Sequence, residues 1–165
     1  MIMALKGSRV ETISDGYTYR MNETAEAGEG VWLSTGGSGI GLDSVSMLAT
    51  NAGLPTSGTA VFLGMLMTDV VNNDQTKQHV NQHKDEVQQG NPVRIMQDGW
   101  AVTNKIDPNC TPAAGNQALI YSGGYFTSVD NVGGTTYIVA DRRAGTFQSS
   151  KDENGYARIY IKLPH

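Results

Sequence analysis

The feature that most constrains this chain is its punctuation: short runs of alternating apolar and polar residues are separated, again and again, by glycine-bearing turns. The clearest run is the last. Over residues 156–163, Ala157, Ile159, Ile161 and Leu163 fall on one side and Arg158, Tyr160 and Lys162 on the other, the period of a half-buried strand. Ahead of it, Lys151-Asp152-Glu153-Asn154-Gly155 has the residues of a hairpin loop, because Asp and Asn bond their own backbone and Gly reaches left-handed conformations. Residues 144–147 supply the partner strand. The chain holds 20 glycines in 165 residues, well above the usual share of about 7%, so frequent reversals are expected throughout.

Two further hairpins are predicted by the same signals. Residues 9–13 and 17–21 alternate around Asp15-Gly16, and residues 93–96 and 100–103 flank Asp98-Gly99. Residues 31–33, 118–121, 125–127 and 135–140 read as additional short strands, and 44–49 as a strand or a short helix. The apolar stretch 59–71 is long enough for one buried strand. The resulting fold class is mainly β: a small antiparallel β-barrel or sandwich built of hairpins, with an N-terminal arm or second small β lobe. The expected organisation is an arm and lobe over 1–74, a polar connecting segment over 75–92, and a barrel or sandwich over 93–165. Val80 and Val87 are the aliphatic anchors of the connecting segment.

Composition removes several function classes. With 12 Lys and Arg against 16 Asp and Glu, the net charge is −4, and such a chain repels a phosphate backbone, so no nucleic-acid partner is expected. The longest nearly unbroken apolar stretch, residues 60–67, is far short of the roughly 20 needed for a membrane helix, and no membrane association is expected. No secretory signal is read at the amino terminus. A single cysteine, Cys110, makes no internal disulfide, which suits synthesis in a reducing cytoplasm.

Catalytic motifs are weak. The glycine-rich stretch 35–41 is one residue short of a dinucleotide-binding fingerprint and no βαβ pattern follows it. His79 and His83 would share a helical face, but a zinc hydrolase needs a third ligand and a general base, and Val80 stands where that base would be. Gly37-Ser38-Gly39 is no nucleophile elbow, and Cys110 lies beside prolines without a nearby His. Arg142 and Arg143 follow Asp141 and form too small a patch for electrostatic binding. The expectation is a protein that is not an enzyme, with no catalytic or metal residues and no cofactor.

A series of short motifs remains: Asp69-Val70-Val71, Glu86-Val87, Gly90-Asn91-Pro92-Val93, Asp98-Gly99-Trp100-Ala101-Val102-Thr103-Asn104, Pro112 with Gly115, Gly145-Thr146-Phe147, and Lys151 through Ala157. In their order and spacing over some three-fifths of the chain, they resemble the capsid decoration, or cement, proteins of tailed bacteriophages. Ala144-Gly145 stands where such proteins often carry Val-Gly. The resemblance implies a noncatalytic β-rich virion protein on the outer surface of the capsid, made in the host cytoplasm. It also implies the major capsid protein as partner, and self-association as a homotrimer at capsomer junctions that holds the shell against internal DNA pressure. The alternative expectation is a carbohydrate-binding or host-attachment virion appendage. Candidate interface residues are Met1, Ile2, Met3 and Leu5 in an arm over 1–10 expected to be loose until bound, the aromatics Trp32, Trp100, Tyr125 and Phe126, and Arg142 with Arg143. For each aromatic the competing expectation is an ordinary core position.

Overall fold

The computed structural model of the protein describes residues 4–16, 19–21, 23–35, 48–50, 62–72, 86–128 and 143–163. Their strands are β1 (Leu5–Gly16), β2 (Arg20–Met21), β3 (Gly30–Thr35), β4 (Leu48–Thr50), β5 (Phe62–Leu66), β6 (Asp69–Val71), β7 (Glu86–Gln88), β8 (Ile95–Thr103), β9 (Gln117–Ile120), β10 (Phe126–Thr127), β11 (Arg143–Phe147) and β12 (Ala157–Lys162). Ten of them form one sheet in the order β10-β9-β11-β12-β8-β5-β3-β4-β2, with β1 also on β8, while β6 and β7 pair in parallel as a second small sheet. The large sheet curls into a nearly closed barrel. Its far strands approach each other where a Cβ on Gly30 of β3 would stand 3.2 Å from the Phe126 ring of β10 and 3.3 Å from Ile120 of β9. The mainly β, barrel-like class expected from the alternation is therefore the observed one.

The spine is β8. One of its edges carries β1 from Leu5 opposite Thr103 to Gly16 opposite Ile95. Its other edge is shared end to end, by β5 at Ile95 and Met96 and by β12 from Asp98 to Thr103. Asp98-Gly99, expected to turn a hairpin, instead lies inside this continuous strand. Gly99 has φ +147°, and a Cβ there would collide with the Glu11 carbonyl oxygen and stand 3.0 Å from Thr12 Cα. The glycine is used for close approach of a neighbouring backbone rather than for reversal.

Among the described residues the hairpin expected around Asp15-Gly16 does not form either. β1 runs through to Gly16 on β8, and β2 pairs in parallel with β4. A long antiparallel partner outcompetes a short local one because each added ladder residue contributes cross-strand contacts. In place of one strand over 59–71, β5 and β6 are separated at Met67 and Thr68; the Met67 N–H still donates to the Arg94 carbonyl at 2.9 Å, one rung beyond the Leu66–Ile95 pair, before the chain turns into β6. Residues 59–61 lie outside the described residues, as do most of 35–49, the strand expected over 135–140, and residues 75–85 with His79 and His83.

Two hydrophobic clusters flank β3, β5 and the start of β8. Trp32, Phe62, Met65 and Met96 join the larger one with Phe126, Phe147, Ile159 and Ile161, whereas Val31, Leu63, Leu66 and Ile95 join the smaller one with Met21, Val70 and Val93. Alternate side chains of one strand thus enter different cores, which accounts for the continuous apolar run in β5. Strands from both sides of residues 75–92 contribute to the single large sheet.

The closing hairpin is present as expected, with Gly145 opposite Ile161 and Phe147 opposite Ile159. Its loop is tied by Asp152, whose Oδ1 accepts the Asn154 and Tyr156 N–H groups, both at 2.9 Å. The Tyr156 N–H bond is the main force holding the Asp152 carboxyl below the ordinary aspartate range. Desolvation opposes it, and the Asn154 N–H and Lys6, 3.5 Å away, each add a smaller lowering effect. A depressed carboxylate stabilises the fold fully above its unfolded pKa and loses that contribution as pH falls through the folded value. The loop is therefore expected to loosen in acid below about pH 4. Amide resonances of Asn154 and Tyr156 should titrate together there, and an Asp152→Asn variant should show no such titration.

Candidate docking surface

In β12, Ala157, Ile159 and Ile161 are buried, so the intervening Arg158, Tyr160 and Lys162 stand on the opposite, outward face of the sheet. The registers then fix a row across five strands: Gln117 lies opposite Thr146, Thr146 opposite Tyr160, Tyr160 opposite Trp100, and Trp100 opposite Glu11. Four interstrand spacings make this row about 19 Å wide. Its ends, Gln117 and Glu11, are exposed, and its centre, Tyr160 and Trp100, is half-buried.

The centre is held by side-chain contacts. The Arg158 guanidinium lies 3.7 Å from the centroid of the Trp100 ring, a cation–π stack. Arg158 Nε is shut off from solvent and has no hydrogen-bond partner, and among the described residues no carboxylate pairs with this side chain. The Tyr160 hydroxyl donates to Asp98 Oδ1 at 3.1 Å. That bond, with smaller effects of desolvation and of the Asp98 charge, raises the phenol above its ordinary pKa and keeps it a donor. A central Trp, Tyr and Arg within a polar margin is the composition of a protein-binding surface, and none of these groups is arranged as a nucleophile with a base.

A second polar group lies beside the start of β1. Lys105 Nζ is 3.0 Å from Glu26 Oε2 and 3.2 Å from Glu29 Oε1. Burial alone would lower the Lys105 pKa, but the hydrogen bond to Glu26 and the charge and hydrogen bond of Glu29 outweigh it and raise the value. The adjoining cleft, about 410 Å³, includes Glu26, Glu29 and Asp69 in its lining. Asp69 Oδ1 accepts the Ala27 N–H at 2.7 Å. These carboxylates already serve the protein's own ammonium and backbone, so the group reads as structural. Among the described residues no cluster of three His, Cys, Asp or Glu fits a metal ion, and Cys110 is buried with its Sγ 3.3 Å from Ser128 Oγ.

The residues singled out in the sequence are dispersed. Trp32 and Phe126 are buried in the larger core, as is Leu5. Tyr125 is half-buried beneath the Lys105 ammonium, 5.5 Å from its ring centroid. Arg143 is exposed at the start of β11, and Met1, Ile2, Met3 and Arg142 lie outside the described residues. The expected loose arm over 1–10 is corrected from Leu5 onward, since Leu5 pairs with Thr103 and Val10 with Ala101. Of the aromatics, Trp100 alone belongs to the outward row. Its partners Arg158 and Tyr160 were not singled out, although the clean alternation of 156–163 already placed both on the polar side of the strand.

Comparison with known proteins adds one finding. The model of the family described as Structural cement protein (E217 gp24/Pam3 gp6), a phage cement family, matches residues 4–162. No protein of curated function matches the chain.

Proposed function

The chain belongs to the phage structural cement proteins, and from that premise we propose that it binds the outer surface of a phage head at capsomer junctions and stabilises the shell against internal DNA pressure. The family places it among structural proteins of the virion capsid. The finer reading is that it grips the major capsid protein and associates with copies of itself, as a homotrimer. The single observation that carries this is the family match over nearly the whole chain, and the outward row centred on Trp100 supplies a surface of suitable chemistry.

Physically, a cement protein needs no reacting group. Packaged DNA pushes capsomers apart, and a rigid body spanning neighbouring subunits must be peeled from both before they separate. Binding two sites at once raises the effective concentration at each, so modest contacts repeated over a lattice hold firmly. A nearly closed barrel with two cores suits this, because little of the binding energy is spent on ordering the binder. The rival reading, a carbohydrate-binding appendage, calls for an open aromatic platform. One face of Trp100 is taken by Arg158 and Trp32 is buried, which weighs against it.

Purified protein mixed with undecorated expanded heads is expected to co-sediment with them, to appear as density at capsomer junctions, and to raise the temperature at which filled heads release DNA. Failure to bind, or binding with no change in DNA release, overturns the proposal.

A further inference from the structure

The amino-terminal end of β1 is sparsely laddered. Leu5 lies opposite Thr103 and Val10 opposite Ala101, so four residues of β1, 6–9, face one of β8, Val102, a bulge that leaves them without rungs of their own. Ahead of the bulge, the chain is attached by the Leu5–Thr103 pair and by the Asn104 N–H, which donates to the Ala4 carbonyl at 2.9 Å. Ala4 and Leu5 are nevertheless buried, and both line the cleft together with Ala25, Ala27 and Val70. An end held by so few backbone bonds opens on its own, ahead of the rest of the strand, unless side chains fasten it.

The fastening comes from the loop of the closing hairpin. Lys6, the first residue of the bulge, places its Nζ 3.5 Å from Asp152 Oδ2 and 4.2 Å from the centroid of the Tyr156 ring. Asp152 is itself held in place, its Oδ1 accepting the Asn154 and Tyr156 N–H groups. The same loop grips the turn that follows β8, where Lys151 Nζ donates to the Pro108 carbonyl at 3.3 Å and to the Asp107 carbonyl at 3.5 Å. The other charged groups described on these elements are engaged elsewhere or face solvent: Lys105 holds Glu26 and Glu29, Arg158 lies on Trp100, and Glu153 is exposed.

We infer that this loop is a clasp: Lys6, held by the Asp152 carboxylate and the Tyr156 ring, fastens the start of β1 to the barrel, and loss of the Asp152 charge releases it. The device belongs to the chain's own fold and does not rest on the capsid-binding reading. Closed, it keeps Leu5 in the core; open, it uncovers Leu5 and the cleft that Leu5 lines. Exposed ion pairs contribute little to overall stability, so the effect is local. The Tyr156 N–H above all holds the Asp152 carboxyl below its ordinary range, so the clasp is closed at neutral pH and fails as pH falls through the folded value.

The Asn104 N–H reports on the clasp, because its acceptor, the Ala4 carbonyl, leaves with the segment; the Phe126 N–H, bonded to the Lys105 carbonyl, is the control. Amide exchange in the full chain, corrected for the intrinsic rate at each pH, is compared for wild type, Lys6→Met, Lys6→Arg and Asp152→Asn. Lys6→Met, which keeps an apolar stem and loses the charge, is expected to speed exchange at Asn104 about fivefold at pH 7, with Phe126 and the thermal midpoint unchanged. Asp152→Asn should give a smaller rise, since the ring contact remains, and Lys6→Arg should stay near wild type because a guanidinium keeps both contacts. Below about pH 4, wild type should reach the level of Asp152→Asn, which itself no longer responds to pH. Where Asp152→Asn loosens its own turn, Lys6→Met carries the test with the turn bonds intact. Wild-type exchange at Asn104 in Lys6→Met overturns the inference. An equal rise at Asn104 and Phe126 overturns it too, since the whole barrel rather than one end would then be opening.

Discussion

Replacing Phe126 with alanine is expected to cost about 3–5 kcal/mol of stability, the usual range for deleting a fully buried aromatic ring. Phe126 has 0% exposure and sits where the barrel closes. β10 pairs with β9, Ile106 bridges to Phe126, and the absent side chain of Gly30 on β3 leaves room for the ring. The backbone bonds of the segment, from the Phe126 N–H to the Lys105 carbonyl and from the Asp107 N–H to the Phe126 carbonyl, persist in the variant. What is lost is therefore ring burial plus the cavity left behind, since strands on both sides are fixed and collapse poorly. For a chain of this size the thermal midpoint should fall by about 10 °C. Below that midpoint, binding to heads should match wild type because the ring never reaches the surface. A loss under about 1 kcal/mol would mean that the ring is not packed as described.

The contrast between Phe126 and Trp100 shows how far the sequence could be read. Both stood out as aromatics in short strands, and nothing local separated them. Burial of Phe126 depends on Gly30, nearly a hundred residues away, coming within contact distance of the ring, a consequence of barrel closure. The final strand was legible because its alternation is unbroken and its loop carries Asp152 and Gly155, which the turn uses: Gly155 has φ +81° and its N–H donates to the Asp152 carbonyl. Asp98-Gly99 carries the same local signal, yet its glycine admits the β1 backbone. That one substitution of role had a large effect on the site. With Asp98-Gly99 as a turn, Trp100 would fold back toward residues 93–96, and its adjacency to Tyr160 and Arg158 on β12 could not be seen. Once β8 is continuous, the registers bring the row together. The resemblance to cement proteins was legible despite this, because motif order along the chain is insensitive to strand pairing.

A Trp100→Ala variant should show the opposite profile to Phe126→Ala. Trp100 is half-buried on the outer face, so stability loses the cation–π contact with Arg158, about 0.5–1 kcal/mol, and part of the apolar burial of the indole, together about 1–2 kcal/mol. Capsid binding should suffer more. A central Trp in a protein interface typically costs at least 2 kcal/mol on truncation, about thirtyfold in affinity, and here removal of the ring also frees the Arg158 guanidinium to move. Co-sedimentation with undecorated heads at sub-saturating protein should reveal the loss, while the thermal midpoint shifts by only a few degrees. Trp100→Phe, which keeps a smaller platform, should recover part of the affinity. The sharper prediction concerns the pair: if Arg158 acts through the stack, Trp100→Ala combined with Arg158→Gln should bind little worse than Trp100→Ala alone. Independent contacts would instead give additive losses. Additivity, or wild-type binding by Trp100→Ala, would show that the row does not carry the contact and that the shell is gripped elsewhere on the barrel.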